Sequence, residues 1–239
     1  MKKTAAVIRS GLIWGVGLTV FGLGCLFILL VGIFYRGPFF ERLIKFVCWI
    51  SIAVCGIRVR RRGLENISPG KQYLLMMNHV NLLDGLVFYG NFPGWARGIE
   101  EESHFRWPLY GAVVRRMGQI PVNRRSGRKA LQSLARAAAL IRQRPDFSFM
   151  VLPEGTRTLN GKLGGFKRGG FLLALEAGLD ILPLIQVGAF AINNKNSRLI
   201  RPGTIDFVVE KPVSIAGTTR DNLAGLMQKV RDTYLRYLD

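Results

Sequence analysis

Residues 73–84 read Tyr73-Leu74-Leu75-Met76-Met77-Asn78-His79-Val80-Asn81-Leu82-Leu83-Asp84. The first five are apolar without polar alternation, which predicts a strand buried on both faces. Asn78-His79 closes the run, and residues 82–89 then read as a helix that ends at Gly90 and Pro93. A buried strand, a polar tip and a helix make up the unit from which parallel sheets are assembled. In such sheets ligands gather beyond the carboxyl ends of the strands, so the tip at Asn78-His79 is a place to look for chemistry.

The pattern repeats downstream. Predicted strands over 96–100, 119–122, 147–152, 181–187 and 205–209 alternate with predicted helices over 107–117, 129–142, 169–177 and 222–238. Residues 63–70 read as a turn. The alternation predicts an α/β fold with a mostly parallel central sheet flanked by helices. One other strand end carries a polar cluster, Pro153-Glu154-Gly155-Thr156-Arg157-Thr158.

Upstream the composition changes. Residues 10–35 carry no charge, and 11–34 are apolar or small, including six glycines. At about 1.5 Å per residue this stretch reaches ~36 Å, enough to span a bilayer core. A secretory signal is the competing reading, but its apolar region would be shorter, and no small-x-small cleavage site precedes Tyr35-Arg36. A second apolar stretch, 46–57, reaches only about 18 Å and is too short to cross. It fits a segment in the interface or dipping into one leaflet, with Arg58, Arg60, Arg61 and Arg62 on anionic head groups, or else a core helix. The division expected is a hydrophobic helical membrane anchor over 1–57, a helix pair or hairpin, followed by a globular domain over 58–239. Positive charge flanks both apolar stretches, so the positive-inside rule does not fix the topology.

The chain of 239 residues is 49% hydrophobic and carries 34 Lys and Arg against 15 Asp and Glu, a formal charge of +19. Such an excess implies an anionic partner: nucleic acid, a membrane surface or a phosphate-bearing substrate. Nucleic-acid binding would need exposed aromatics interleaved with a basic face, whereas most aromatics here fall in apolar runs. Cys25, Cys48 and Cys55 all lie in the apolar N-terminal quarter, away from any histidine at zinc spacing, and read as buried thiols in a reducing context.

The chain has two histidines, His79 and His104. On a regular helix His79 and Asp84 would stand about 140° apart, so the two side chains meet only if His79 lies in a bend before the helix. Asp84 would then accept a hydrogen bond from one ring nitrogen and leave the other to take a proton from a hydroxyl. His104, close to Arg106 and Trp107, reads as a surface or packing residue. The sequence has no Gly-x-Ser-x-Gly elbow, no phosphate loop and no histidine–carboxylate helix with metal spacing. In the second cluster Gly155 permits a tight turn, Arg157 offers a fork of donors suited to phosphate, and Thr156 adds a hydroxyl. Glu154 either pairs with the arginine or holds the acceptor, unless the whole piece is a surface turn with an ion pair. Lys162, Lys167 and Arg168 make the local field positive.

Together these blocks resemble the glycerolipid acyltransferase family of 1-acylglycerol-3-phosphate acyltransferases, with its His-x4-Asp block at His79/Asp84 and its Glu-Gly-Thr-Arg block at Glu154–Arg157. The resemblance runs from about residue 63 to 213. Gly63-Leu64-Glu65-Asn66-Ile67, Pro108-x2-Gly111, Gly118-x-Ile120-x-Val122-x-Arg124, Phe166-x2-Gly169 and Ile181-Leu182-Pro183 look like further family blocks. The resemblance implies that residues 58–239 form an acyltransferase domain. In it His79 would deprotonate the acceptor and Asp84 would orient it. Glu154, Gly155, Thr156 and Arg157, with Arg124, would bind the acceptor's phosphate. It further implies a thioester donor, acyl-CoA or acyl-carrier protein. The acceptor would be the sn-2 hydroxyl of lysophosphatidic acid, giving phosphatidic acid in phospholipid biosynthesis. No metal or organic cofactor and no nucleic acid would take part, and the membrane-bound domain would face the cytoplasm. Asn81 stands where serine is frequent, Asn123 where aspartate is, and Glu100-Glu101-Glu102 where lysine often occurs. These departures leave open another lysophospholipid or a lyso-aminolipid as acceptor.

Overall fold

The computed structural model describes residues 2–123 and 127–238, in which seven strands form one sheet. They are β1 (Ile57–Arg62), β2 (Leu74–Met77), β3 (Ala96–Glu101), β4 (Ile120–Val122), β5 (Ser148–Val151), β6 (Ile181–Val187) and β7 (Gly203–Val209). Their spatial order is β1-β7-β6-β2-β5-β3-β4. The pairings of β6, β2, β5, β3 and β4 are all parallel, β7 is antiparallel to β6, and β1 is parallel to β7. The sheet is therefore mostly parallel, as the alternating pattern predicts.

The strand that decided this reading lies near the middle of the sheet, and residues 73–77 are each 0% exposed. Its side chains alternate between two layers. Leu74 and Met76 pack with Phe149, Phe171, Ala137, Ile141, Val230 and Tyr234. This layer brings in α5 (Gly127–Arg142), α6 (Arg168–Ala177) and α8 (Leu223–Leu238). Tyr73, Leu75 and Met77 pack on the other side with Val87, Phe88, Leu184 and Phe207. That layer holds α3 (Asp84–Asn91) and the short α7 (Ala189–Ile192), with α4 (Tyr110–Met117) beside it.

The N-terminal region is a helical hairpin of α1 (Lys2–Phe34) and α2 (Pro38–Ala53). The second helix begins at a proline, which suits a first helical turn, and so starts well before the apolar stretch at 46–57. A Cβ on Gly24 would fall 2.4 Å from Val47 Cγ1, so the absent side chain is what lets the two helices approach. Cys25 and Ile28 of α1 share a core with Phe40, Leu43, Ile44, Val47 and Cys48 of α2 and with Val113 and Met117 of α4. The hairpin is also tied down near both ends of α1. Ser10 Oγ accepts from Ile200 N (2.8 Å), and Trp14 Nε1 donates to Arg198 O (2.7 Å). At the far end Gly32 lies against Arg116 of α4. The span from Ser10 to Gly32, about 33 Å of helix, therefore rests lengthwise on the globular part. Its other face, with Leu12, Leu18, Leu23, Leu26, Leu30 and Ile33, is exposed.

The arginine-rich segment that follows is the edge strand β1. Only Ile57 and Val59 turn inward, too short an apolar signal to reveal a strand, and Arg60 Nε donates to Asp206 Oδ1 of β7 at 2.8 Å.

Candidate active site

Where β2 ends, Asn78 continues the ladder with its side chain: Nδ2 donates to Gln186 O (3.1 Å), and Oδ1 accepts from Gln186 N (2.7 Å). The chain then turns out of the sheet around one carboxylate. Asp84, at the start of α3, accepts from Val80 N (2.7 Å) and Asn81 N (3.1 Å). It also holds His79 Nδ1 at 2.7 Å. This is the bend that the helical geometry demanded. The side chain of Asp84 is 3% exposed and that of His79 is 23% exposed. With Nδ1–H donated to the carboxylate, the accepting lone pair is on Nε2. Asn81 secures the loop from the other side: its Oδ1 accepts from Leu83 N (2.8 Å), and its Nδ2 donates to Ala189 O (3.0 Å).

The second block lies beyond β5, the strand next to β2. Glu154 is 4% exposed, and its two oxygens accept from His79 N (2.9 Å) and Gly164 N (3.0 Å). Both are spent on backbone N–H groups, so Glu154 locks the turn onto the histidine loop rather than pairing with Arg157. Burial pushes its pKa above the usual range, against the pull of those two hydrogen bonds. A Cβ on residue 164 would fall 2.8 Å from Glu154 Oε2, which explains the glycine there. Thr158 N donates to His79 O (3.0 Å), so the histidine backbone is gripped at both its N–H and its C=O. Gly155 makes the turn at φ 69°, in the left-handed region. Thr156 is exposed and Arg157 half-buried beside it.

The structure therefore brings His79, Asp84, Glu154, Gly155, Thr156 and Arg157 to one end of the sheet. Arg124, which follows β4, lies outside the described residues. His104 belongs to a separate cluster in which Glu100 accepts from Tyr110 Oη (3.0 Å) and contacts His104 Nδ1 (3.2 Å), with the imidazole packed on Trp107. One cation escapes the sequence reading: Lys195 Nζ donates to Thr156 Oγ1 at 3.3 Å. It follows α7, far from both motif blocks, and no local pattern singles it out. The loop that carries it also touches the turn through Asn196 Nδ2, which donates to Leu159 O (2.9 Å), and reaches α1 through Arg198 and Ile200.

An imidazole oriented by a buried carboxylate, partly exposed and on the loop that the arginine turn grips, is equipped to take a proton from a hydroxyl on a phosphate-bearing molecule.

Known proteins resemble this chain in sequence and in fold. A family model described as Acyltransferase matches residues 58–187. A 1-acyl-sn-glycerol-3-phosphate acyltransferase of Pseudomonas aeruginosa is 30% identical over 185 residues, covering 77% of this chain and 70% of the relative. The alpha form of the human protein of that name is 27% identical, covering 84% and 80% of the two chains. A relative of the same name from Limnanthes douglasii is 27% identical, and the match spans 79% of this chain and 66% of that protein, just under two thirds of its length. The fold matches the crystal structure of a 1-acyl-sn-glycerophosphate acyltransferase from Thermotoga maritima with a TM-score of 0.82 over 100% of this chain, at 19% identity. With more than half of its residues inside the family model, and a bacterial relative aligned over most of both lengths, this chain belongs to the acyltransferase family.

Proposed function

We propose that the protein transfers a fatty acyl group from acyl-CoA or acyl-carrier protein to the sn-2 hydroxyl of lysophosphatidic acid, giving phosphatidic acid. The observation that carries this reading is the 2.7 Å contact of His79 Nδ1 with buried Asp84 at the end of β2, beside the Glu154–Arg157 turn. His79 Nε2 takes the proton of the acceptor hydroxyl as its oxygen attacks the thioester carbonyl carbon. The C–S bond then breaks, and the leaving thiolate is protonated by the imidazolium. Arg157, Thr156 and Lys195 hold the acceptor's phosphate, with Arg124 as the family pattern suggests. Glu154 acts by fixing the backbone of His79.

The substrate is membrane lipid, and two features support a site at the bilayer surface. The exposed apolar face of α1 lies along the globular part, so the hairpin enters one leaflet lengthwise and the acyltransferase domain rests on the membrane. Leu82, in the His79–Asp84 loop, and Leu159, after the arginine turn, are 61% and 57% exposed. A thioester donor, acyl-CoA or acyl-carrier protein, supports a domain on the cytoplasmic face.

The test is acyl transfer from labelled acyl-CoA and acyl-carrier protein to a panel of lysolipids, with wild type and His79→Ala. The expected product is phosphatidic acid, and the variant should fall by about 10³- to 10⁴-fold while vesicle association is kept. Near-wild-type transfer by the variant would remove His79 from the mechanism. A different lysolipid acylated in preference to lysophosphatidic acid would keep the chemistry and replace the acceptor.

A further inference from the structure

The site described above uses the carboxyl ends of the strands. At the amino ends of β2, β3 and β5, the segments leading into the sheet enclose a separate cavity of about 880 Å³. At ~3.3 Å per residue, its Lys71 rim lies roughly 25 Å along the chain from His79. Six cations line it, Arg36, Lys71, Arg97, Arg115, Arg116 and Arg144, against two carboxylates, Glu41 and Asp146. Glu41 is taken by Arg97, and Lys71 is paired with Asp180 at 2.8 Å. Arg36, Arg115, Arg116 and Arg144 form no ion pair among the described residues.

Two of the arginines that line it also carry a buried Nε. Arg97 is 6% exposed and stacked 3.9 Å from the Phe147 ring centroid, and its Nε has no hydrogen-bond partner among the described residues. The same is true of the buried Nε of Arg116, which lies against Gly32 of α1. The Arg97 guanidinium already has Glu41 as its anion, whereas Arg36, Arg115, Arg116 and Arg144 have none among the described residues, and their planar forks suit phosphate oxygens.

The position of the cavity indicates what carries the anion. One wall is the hairpin turn, Arg36-Gly37-Pro38. Around that turn Phe34, Tyr35 and Phe39 are exposed apolar side chains, Phe34 by 84%. A phosphate attached to an apolar tail matches both halves of this arrangement, with its head among the arginines and its chain along the hairpin tip. We propose that this cavity binds the phosphate head group of an anionic membrane phospholipid, at a site separate from the acceptor site. The proposal does not depend on which lysolipid is acylated.

The test uses the full chain in flotation with phosphatidylcholine vesicles, with or without on the order of 30 mol% phosphatidylglycerol. One variant carries Arg36→Gln and Arg115→Gln, both exposed positions. A control carries Arg58→Gln and Arg61→Gln on β1, with the same loss of charge. Wild type should bind the anionic vesicles more tightly. The cavity pair should lose that gain by about tenfold and the control pair by less than about twofold. Equal losses in the two pairs, no loss in the cavity pair, or no gain for wild type would overturn the proposal. Inorganic phosphate, titrated against the detergent-solubilised chain by phosphorus NMR, separates the two sources of the anion. Line broadening that the cavity pair abolishes, together with unchanged vesicle binding by that pair, would make this a free-phosphate site and overturn the lipid assignment.

Discussion

The strand-end site and the N-terminal hairpin are both anchored on the sheet domain, but by different forces. In the site, directional bonds fix the geometry: Asp84 accepts from three groups of its own loop, and Glu154 clamps two backbone N–H groups from separate segments. In the hairpin, position comes mainly from apolar packing, with Cys25 and Ile28 buried against α2 and α4, and scattered polar ties at Ser10, Trp14 and the Glu41–Arg97 ion pair supplement it. The difference teaches where each region tolerates change. Packing yields gradually to small substitutions and collapses when a whole layer goes. A hydrogen-bonded clamp fails at a single atom.

The largest expected effect is therefore removal of residues 1–57. The hairpin packs closely on the rest of the chain: α2 lies so close on α3 that a Cβ on Gly90 would meet Trp49 N at 2.9 Å, and Val113 and Met117 share a buried cluster with the hairpin. The truncated chain should aggregate, without a cooperative melt and without transfer. A soluble 58–239 fragment that unfolds cooperatively would erase the contrast and support the division into a hairpin over 1–57 and a domain over 58–239.

Next comes Glu154→Gln, which tests the clamp. The amide keeps one acceptor but turns a donor toward an N–H of His79 or Gly164. The expected loss is about 2 kcal/mol of stability, a Tm lower by roughly 5 °C. Displacement of His79 should lower kcat by about 10²-fold. If Glu154 instead held the acceptor, the acceptor KM would rise with Tm unchanged, a split that steady-state kinetics beside calorimetry would expose.

What was legible in the sequence follows the same divide. The run at 73–77 announces a central strand because burial on both faces leaves no polar residue in it, and the bend at His79 follows from the geometry of a five-residue step. The two polar tips were legible because each directly follows such a strand. Edge strand β1 was not, since four of its six residues are exposed arginines. Which face of α1 packs was equally hidden, because a helix apolar all round gives no stripe to read. Glu154 was recognised as a site residue, yet its work depends on Gly164 and on the backbone of His79, contacts that only the tertiary fold creates.

The smallest expected effect lies where the two regions meet. The loop after α7 carries Lys195 to Thr156 at 3.3 Å and receives Trp14 of the hairpin at Arg198 O, 2.7 Å. Lys195→Gln removes one exposed cation from the arginine turn, and exposed charges act weakly through water, so the acceptor KM should rise about threefold with kcat unchanged. Trp14→Phe keeps the bulk of the side chain and deletes only its N–H. If the hairpin positions the loop, this variant should move the same KM in the same direction by about twofold or less. A KM that responds to Lys195 but not to Trp14 would mean that packing alone holds the loop and that the hairpin serves the site only by delivering it to the membrane.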